Sequence, residues 1–167
     1  MNLKELKQVM PEIFETVKDD VRKIYDRHRA GLRLGLAEMG MFQGGFIGGM
    51  HFYPGTDIVM NTSPLKIILE EKTEDIIIWA YTYHILLHEY IHSLGVLDEK
   101  QCKTITLNVS EKIFKNKNHP AVIMAENGIG YYIDNLLIRY VPPDRRPDGI
   151  HIEYLYGFDK ESQSYFS

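Results

Sequence analysis

Apolar positions change their spacing along the 167-residue chain, and each change predicts a different element. Leu3, Leu6, Val9, Met10, Ile13, Val17, Val21 and Ile24 recur every three or four residues. That is the period of an amphipathic helix, predicted over residues 3–28 with a charged outer face. Pro11 falls inside it and marks a kink or a restarted first turn. From Ala30 the period shortens to two, as Leu32, Leu34 and Leu36 alternate with Arg33 and Gly35 in the manner of a strand. A glycine-rich run, 44–53, leads through Pro54-Gly55-Thr56 to the apolar stretch 57–61. Pro-Gly between apolar runs predicts a turn joining two antiparallel strands, so residues 30–61 form the sheet region.

A short helix is expected over 64–71, then a longer one over 73–94 that is apolar on nearly every side from Ile76 to Leu87. Such a helix belongs in the core. Residues 99–140 read as a helical C-terminal part: 99–115 first, a loop over 116–120, and a further segment reaching about Tyr140. The tail, 141–167, opens turn-rich at Pro142-Pro143-Asp144-Arg145-Arg146-Pro147. Its stretch 150–156 alternates like a strand and could join the sheet. Together these elements predict one α+β domain over 1–167, with a small antiparallel or mixed sheet of about three to five strands packed on the 73–94 helix.

The end of that central helix carries the chemistry. His88 and His92 lie four residues apart, on one helical face and about one turn from each other, so both imidazoles can meet one cation. Glu89 sits about 100° round the helix, beside the pair rather than in it, as suits a general base. Gly95 can end the helix in a left-handed turn and return the chain towards the histidines. Asp98 is then placed to supply a third ligand. Glu99 competes for that role, but the Gly-x-x-Asp spacing prefers Asp98. Three protein ligands leave one tetrahedral position open, the arrangement of a catalytic zinc site. His84 lies a further turn back, too far up the helix for the same ion, since each step of four rises about 6 Å. It is expected in the core or behind the ligands.

His88-Glu89-Tyr90-Ile91-His92-Ser93-Leu94-Gly95-Val96-Leu97-Asp98 resembles the zincin metallopeptidases, whose short signature is H-E-x-x-H. More narrowly it is similar to the metzincin pattern, with Asp98 where that pattern has a third histidine, as in snapalysin-type enzymes. The resemblance covers these eleven residues directly. It implies a zincin-like fold, a Zn²⁺ cofactor, a peptide or protein substrate, and an edge strand in the glycine-rich region along which an extended peptide pairs by its backbone. It also implies Met124 as the candidate for a turn packed beneath the metal. A gluzincin-like chain would instead take Glu126 as third ligand. Tyrosines 131 and 132 do not match the spacing at which metzincins place an oxyanion-steadying tyrosine.

Charge narrows the functions further. Nineteen basic residues against 23 acidic give a net charge of −4, which is not the footprint of a nucleic-acid binder. The central apolar run is too short, and too interrupted by Thr82 and His84, for a membrane span. The one cysteine, Cys102, excludes an internal disulfide. With no apolar signal segment at the start, a cytoplasmic protein is expected.

The function expected from these residues is a zinc-dependent metallopeptidase, hydrolysing peptide bonds through a metal-bound water activated by Glu89. The alternative is a non-catalytic, metal-stabilised domain of zincin fold that binds a peptide or protein without cutting it.

Overall fold

The computed structural model describes residues 1–155, in which five α helices pack with a small mixed sheet of four strands. The first helix, α1 (Leu3–Tyr25), starts where the Asn2 side chain accepts from the Glu5 amide. Pro11 is absorbed within it. Leu6, Met10, Ile13, Val17 and Val21 are buried as the spacing predicts, and Phe14 joins them. The helix stops three residues short of the expected end, where Asp26 takes a left-handed conformation and its amide donates to the Arg22 carbonyl.

Strands β1 (Arg33–Ala37), β2 (Gly49–His51) and β3 (Asp57–Asn61) follow. β2 and β3 form the antiparallel pair expected around Pro54-Gly55, with Met50 opposite Val59. β1 pairs with β3 in parallel, Leu34 opposite Ile58. One short helix, α2 (Thr62–Glu70), separates these strands from their core partner, the central α3 (Asp75–Ser93). α4 (Glu99–Phe114) and α5 (Pro120–Asn127) complete the helical part. Near the end come a two-residue ribbon, β4 (Arg145–Arg146) with β5 (Gly149–Ile150), and β6 (Glu153–Tyr154). β6 adds antiparallel to β1, giving the order β2-β3-β1-β6. The predicted tail strand thus joins the sheet, although Tyr156 lies outside the described residues.

The helical part expected over 99–140 breaks up after α5. α5 ends at Gly128, whose φ of 75° suits glycine, and only short 3₁₀ turns over Ile129–Tyr131 and Asp134–Ile138 follow. Met124 therefore sits in the last turns of a helix, fully buried, and not in a turn of its own.

α3 is buried on most of its surface, as its sequence requires, against α1, α4, α5 and the sheet. Phe14 and Tyr90 meet edge to face at 5.6 Å, and Tyr83 donates to the buried Asp20 carboxylate at 2.7 Å. Polar groups then fix its functional end. The Arg29 guanidinium donates to the Ser93 carbonyl and to both Pro54 and Gly55 carbonyls, each at 2.7 Å. Arg27 reaches the Leu94 carbonyl at 2.8 Å. These bonds satisfy carbonyls that a helix end leaves without partners, and they tie α3 to the β2–β3 turn. On the other side, buried Asn61 donates to the Gly40 and Ile47 carbonyls and accepts from the Met39 and Ser63 amides. It anchors the glycine-rich segment beside α3. No helix among the described residues is long and apolar enough to cross a membrane.

Candidate metal centre

α3 presents His88 and Glu89 to a cleft of about 720 Å³, with His92 one helical turn beyond His88. One wall is the glycine-rich segment and α3; the other is α5 and the turn after it. At the end of α3, Leu94 caps the helix, Gly95 adopts φ 102°, and the Gly95 amide donates to the His92 carbonyl at 3.0 Å. The chain doubles back, as Gly95 predicts, and α4 begins beside the two histidines.

The residue that α4 brings to them is Glu99. Its Oε1 lies 3.1 Å from His88 Nε2 and 2.6 Å from His92 Nε2. Asp98, the ligand preferred from spacing, is turned away to a different task. It is the N-cap of α4, and its Oδ2 accepts from the Gln101 amide at 2.8 Å. Aspartate is among the best N-caps, so the capping bond claims Asp98 and leaves Glu99, the next residue, to face the histidines. Asp98→Ala should cost about 1 kcal/mol of stability, the usual worth of a cap. Zinc affinity should stay unchanged; a tenfold loss in a zinc titration would return Asp98 to the ligand set.

Protonation at His92 is constrained. Its Nδ1 lies 2.7 Å from the Val96 carbonyl, which can only accept, so Nδ1 carries the hydrogen. In the neutral ring, Nε2 is then a lone pair pointed at a carboxylate oxygen 2.6 Å away. Two acceptors at that distance require a cation between them, either a second proton or a metal. A carbonyl that fixes the far nitrogen is also the usual support of a metal-binding histidine. Tetrahedral zinc with bonds of about 2.0–2.1 Å sets its ligand atoms about 3.3 Å apart, so small outward movements would admit it among these three side chains.

The surrounding charges agree with this picture. Burial lowers the His88 pKa, partly opposed by Glu99, which favours the neutral ring that can ligate. Burial works to raise the Glu99 pKa, but the two facing imidazoles, which donate and carry charge when protonated, outweigh it and hold the group below its ordinary value. Glu89 is different. It is 5% exposed and burial pushes it up to about 7, with His92 pulling down and Glu99 pushing up. A carboxyl poised near neutrality suits proton transfer.

Cys102, one turn into α4, adds a group that the sequence did not single out. Its Sγ and the imidazole nitrogens of His88 and His92 all lie within 4.8 Å of one another. The thiol donates to the His88 carbonyl at 3.2 Å, and burial pushes its pKa up to about 12.

Other candidates fall further from this centre. Glu126 is exposed on α5 and lines the cleft, as does buried Met124, but neither bonds to the histidines. His84 lines the cleft behind His88, with ring centroids 6.4 Å apart. His51 on β2 is bonded through Nε2 to the Gly55 carbonyl at 2.7 Å. His151 lines a separate recess with Leu3 and Lys7 and does not cover the cleft. No protein-family model, curated protein or solved structure matches the chain.

Proposed function

We propose that this chain is a zinc-dependent metallopeptidase of zincin-like fold, with His88, His92 and Glu99 as metal ligands and Glu89 as general base. The observation that carries the reading is that His88 Nε2 and His92 Nε2 both face one Glu99 oxygen, with His92 Nδ1 held by the Val96 carbonyl. Zinc bound there would polarise a substrate carbonyl and acidify an attacking water. Glu89, buried and with its pKa raised, takes the proton of that water and returns it to the nitrogen of the leaving amine. β2 is an outer strand of the sheet beside α3, and an extended peptide laid along its free edge would place a carbonyl next to Glu89. Gly49 supports this placement. A Cβ there would come 3.3 Å from Glu89 Cγ and 2.9 Å from Ile85, so the strand sits against the helix only as glycine.

A second reading has its own observation. If Cys102 Sγ joined the two histidines and Glu99, all four positions would be filled and the metal would only stabilise the fold. The bond from the Cys102 thiol to the His88 carbonyl at 3.2 Å favours the open arrangement. Cys102→Ser separates the two: the peptidase reading expects zinc bound at one per chain with hydrolysis retained. Loss of zinc together with a collapse in Tm would mark a closed structural site.

A further inference from the structure

The α3 wall of the cleft holds two polar atoms with nothing to bond. Tyr81 Oη and His84 Nδ1 are buried and lack a hydrogen-bond partner among the described residues. Tyr81 is 2% exposed, and both residues line the cleft, one and two turns before His88. Leaving such an atom unpaired is costly, so two together, three residues apart on one helix beside the proposed centre, call for a partner. Beside Tyr81 the facing chain is glycine: a Cβ on Gly48 would stand 3.4 Å from the Tyr81 oxygen.

Both groups are uncharged. Burial drives the Tyr81 phenol far above its ordinary value and the His84 imidazole down to about 4. Around them the cleft is apolar, lined by Phe46, Ile85, Met124, Ile129 and Leu137. Charge is confined to Lys103 and Glu126, both exposed, and to the proposed centre itself. An apolar passage with a neutral donor-acceptor pair in one wall fits a long side chain that ends in one acceptor and one donor. A carboxamide has that end. Its carbonyl accepts from the Tyr81 hydroxyl, and its NH₂ donates to His84 Nδ1 in the tautomer that carries hydrogen on Nε2.

We infer that the cleft selects a peptide by a carboxamide side chain, glutamine or the shorter asparagine, held by Tyr81 and His84. That the peptide is a substrate rests on the peptidase reading; its recognition does not. A pocket built to hydrogen-bond a polar end discriminates strongly against an analogue that lacks it, because its own polar atoms stay unpaired.

The test uses dansylated hexa-alanine peptides carrying Gln, Met or Glu at each position in turn. Binding is read by fluorescence polarisation on zinc-loaded, full-length Glu89→Gln protein, and cleavage separately on the wild type. At one position Gln should bind at least tenfold more tightly than Met, its apolar counterpart of similar length, and than Glu. Tyr81→Phe should bring the Gln-to-Met ratio to about one while Tm holds or rises, since the substitution removes an unpaired hydroxyl. Equal binding of Gln and Met, no binding at all, or a lower Tm in Tyr81→Phe would overturn the inference. Gln-selective binding without cleavage by the wild type would sink the peptidase reading and leave the pocket standing.

Discussion

Glu89→Gln should reduce peptide hydrolysis at least about 10³-fold and leave zinc binding intact. The glutamine keeps size and position on α3 but cannot take a proton, and loss of a general base alone is worth about 10²–10⁴ in rate. Glu89 is beside the ligand set and not in it, so the metal should remain at one per chain by atomic absorption. The metal-free protein offers a second, independent readout. The folded-state pKa of Glu89 lies near 7, above its ordinary 4.5. The stability linked to its protonated form is therefore fully present below pH 4.5 and lost as pH rises through about 7. Glu89→Gln should flatten that fall and raise the Tm of metal-free protein at pH 8. A variant that stayed fully active would remove Glu89 from the mechanism; one with an unaltered pH profile of Tm would remove the account of its burial.

The second large effect is expected at Glu99. Glu99→Ala takes away the one oxygen that both imidazoles face, and zinc affinity should fall at least about 100-fold, since even supporting residues behind a ligand are worth 10–100-fold. Activity should fall with it at limiting zinc. Because Glu99 is largely exposed, its removal should disturb folding little, and the circular dichroism spectrum should be that of the wild type. The matched control is Asp98→Ala, which loses a helix cap and keeps the metal. Reversed results for the two variants would mean that the spacing argument for Asp98 was right and the geometry wrong.

This contrast shows where the sequence was sufficient. His88, Glu89 and His92 are read correctly as neighbours because a helix fixes their relations locally, and α3 is unmistakably helical and buried. The β2–β3 hairpin is equally local, set by Pro54-Gly55 between apolar runs. The third member of the cluster is not local in that sense. Asp98 and Glu99 are adjacent, and which one turns to the histidines depends on which one caps α4. N-cap preference contains the signal, since Asp98 stands one residue before α4, but the boundary must be known within one residue to use it. Cys102 escaped notice because one turn of α4 has to be docked on α3 before its sulfur nears the imidazoles. The parallel pairing of β1 with β3 lies beyond local pattern altogether. After Gly128 the apolar spacing continues, but two glycines in three residues, Gly128 and Gly130, shorten the expected helix to separate turns.

An anomalous difference map at the zinc edge, from zinc-soaked crystals, decides whether an open zinc site exists. One strong peak is expected within about 2.0–2.2 Å of His88 Nε2, His92 Nε2 and a Glu99 oxygen, with a fourth position open to the cleft and Asp98 still on the Gln101 amide. A peak closed by Cys102 Sγ, or no peak with His92 doubly protonated against Glu99, would contradict it.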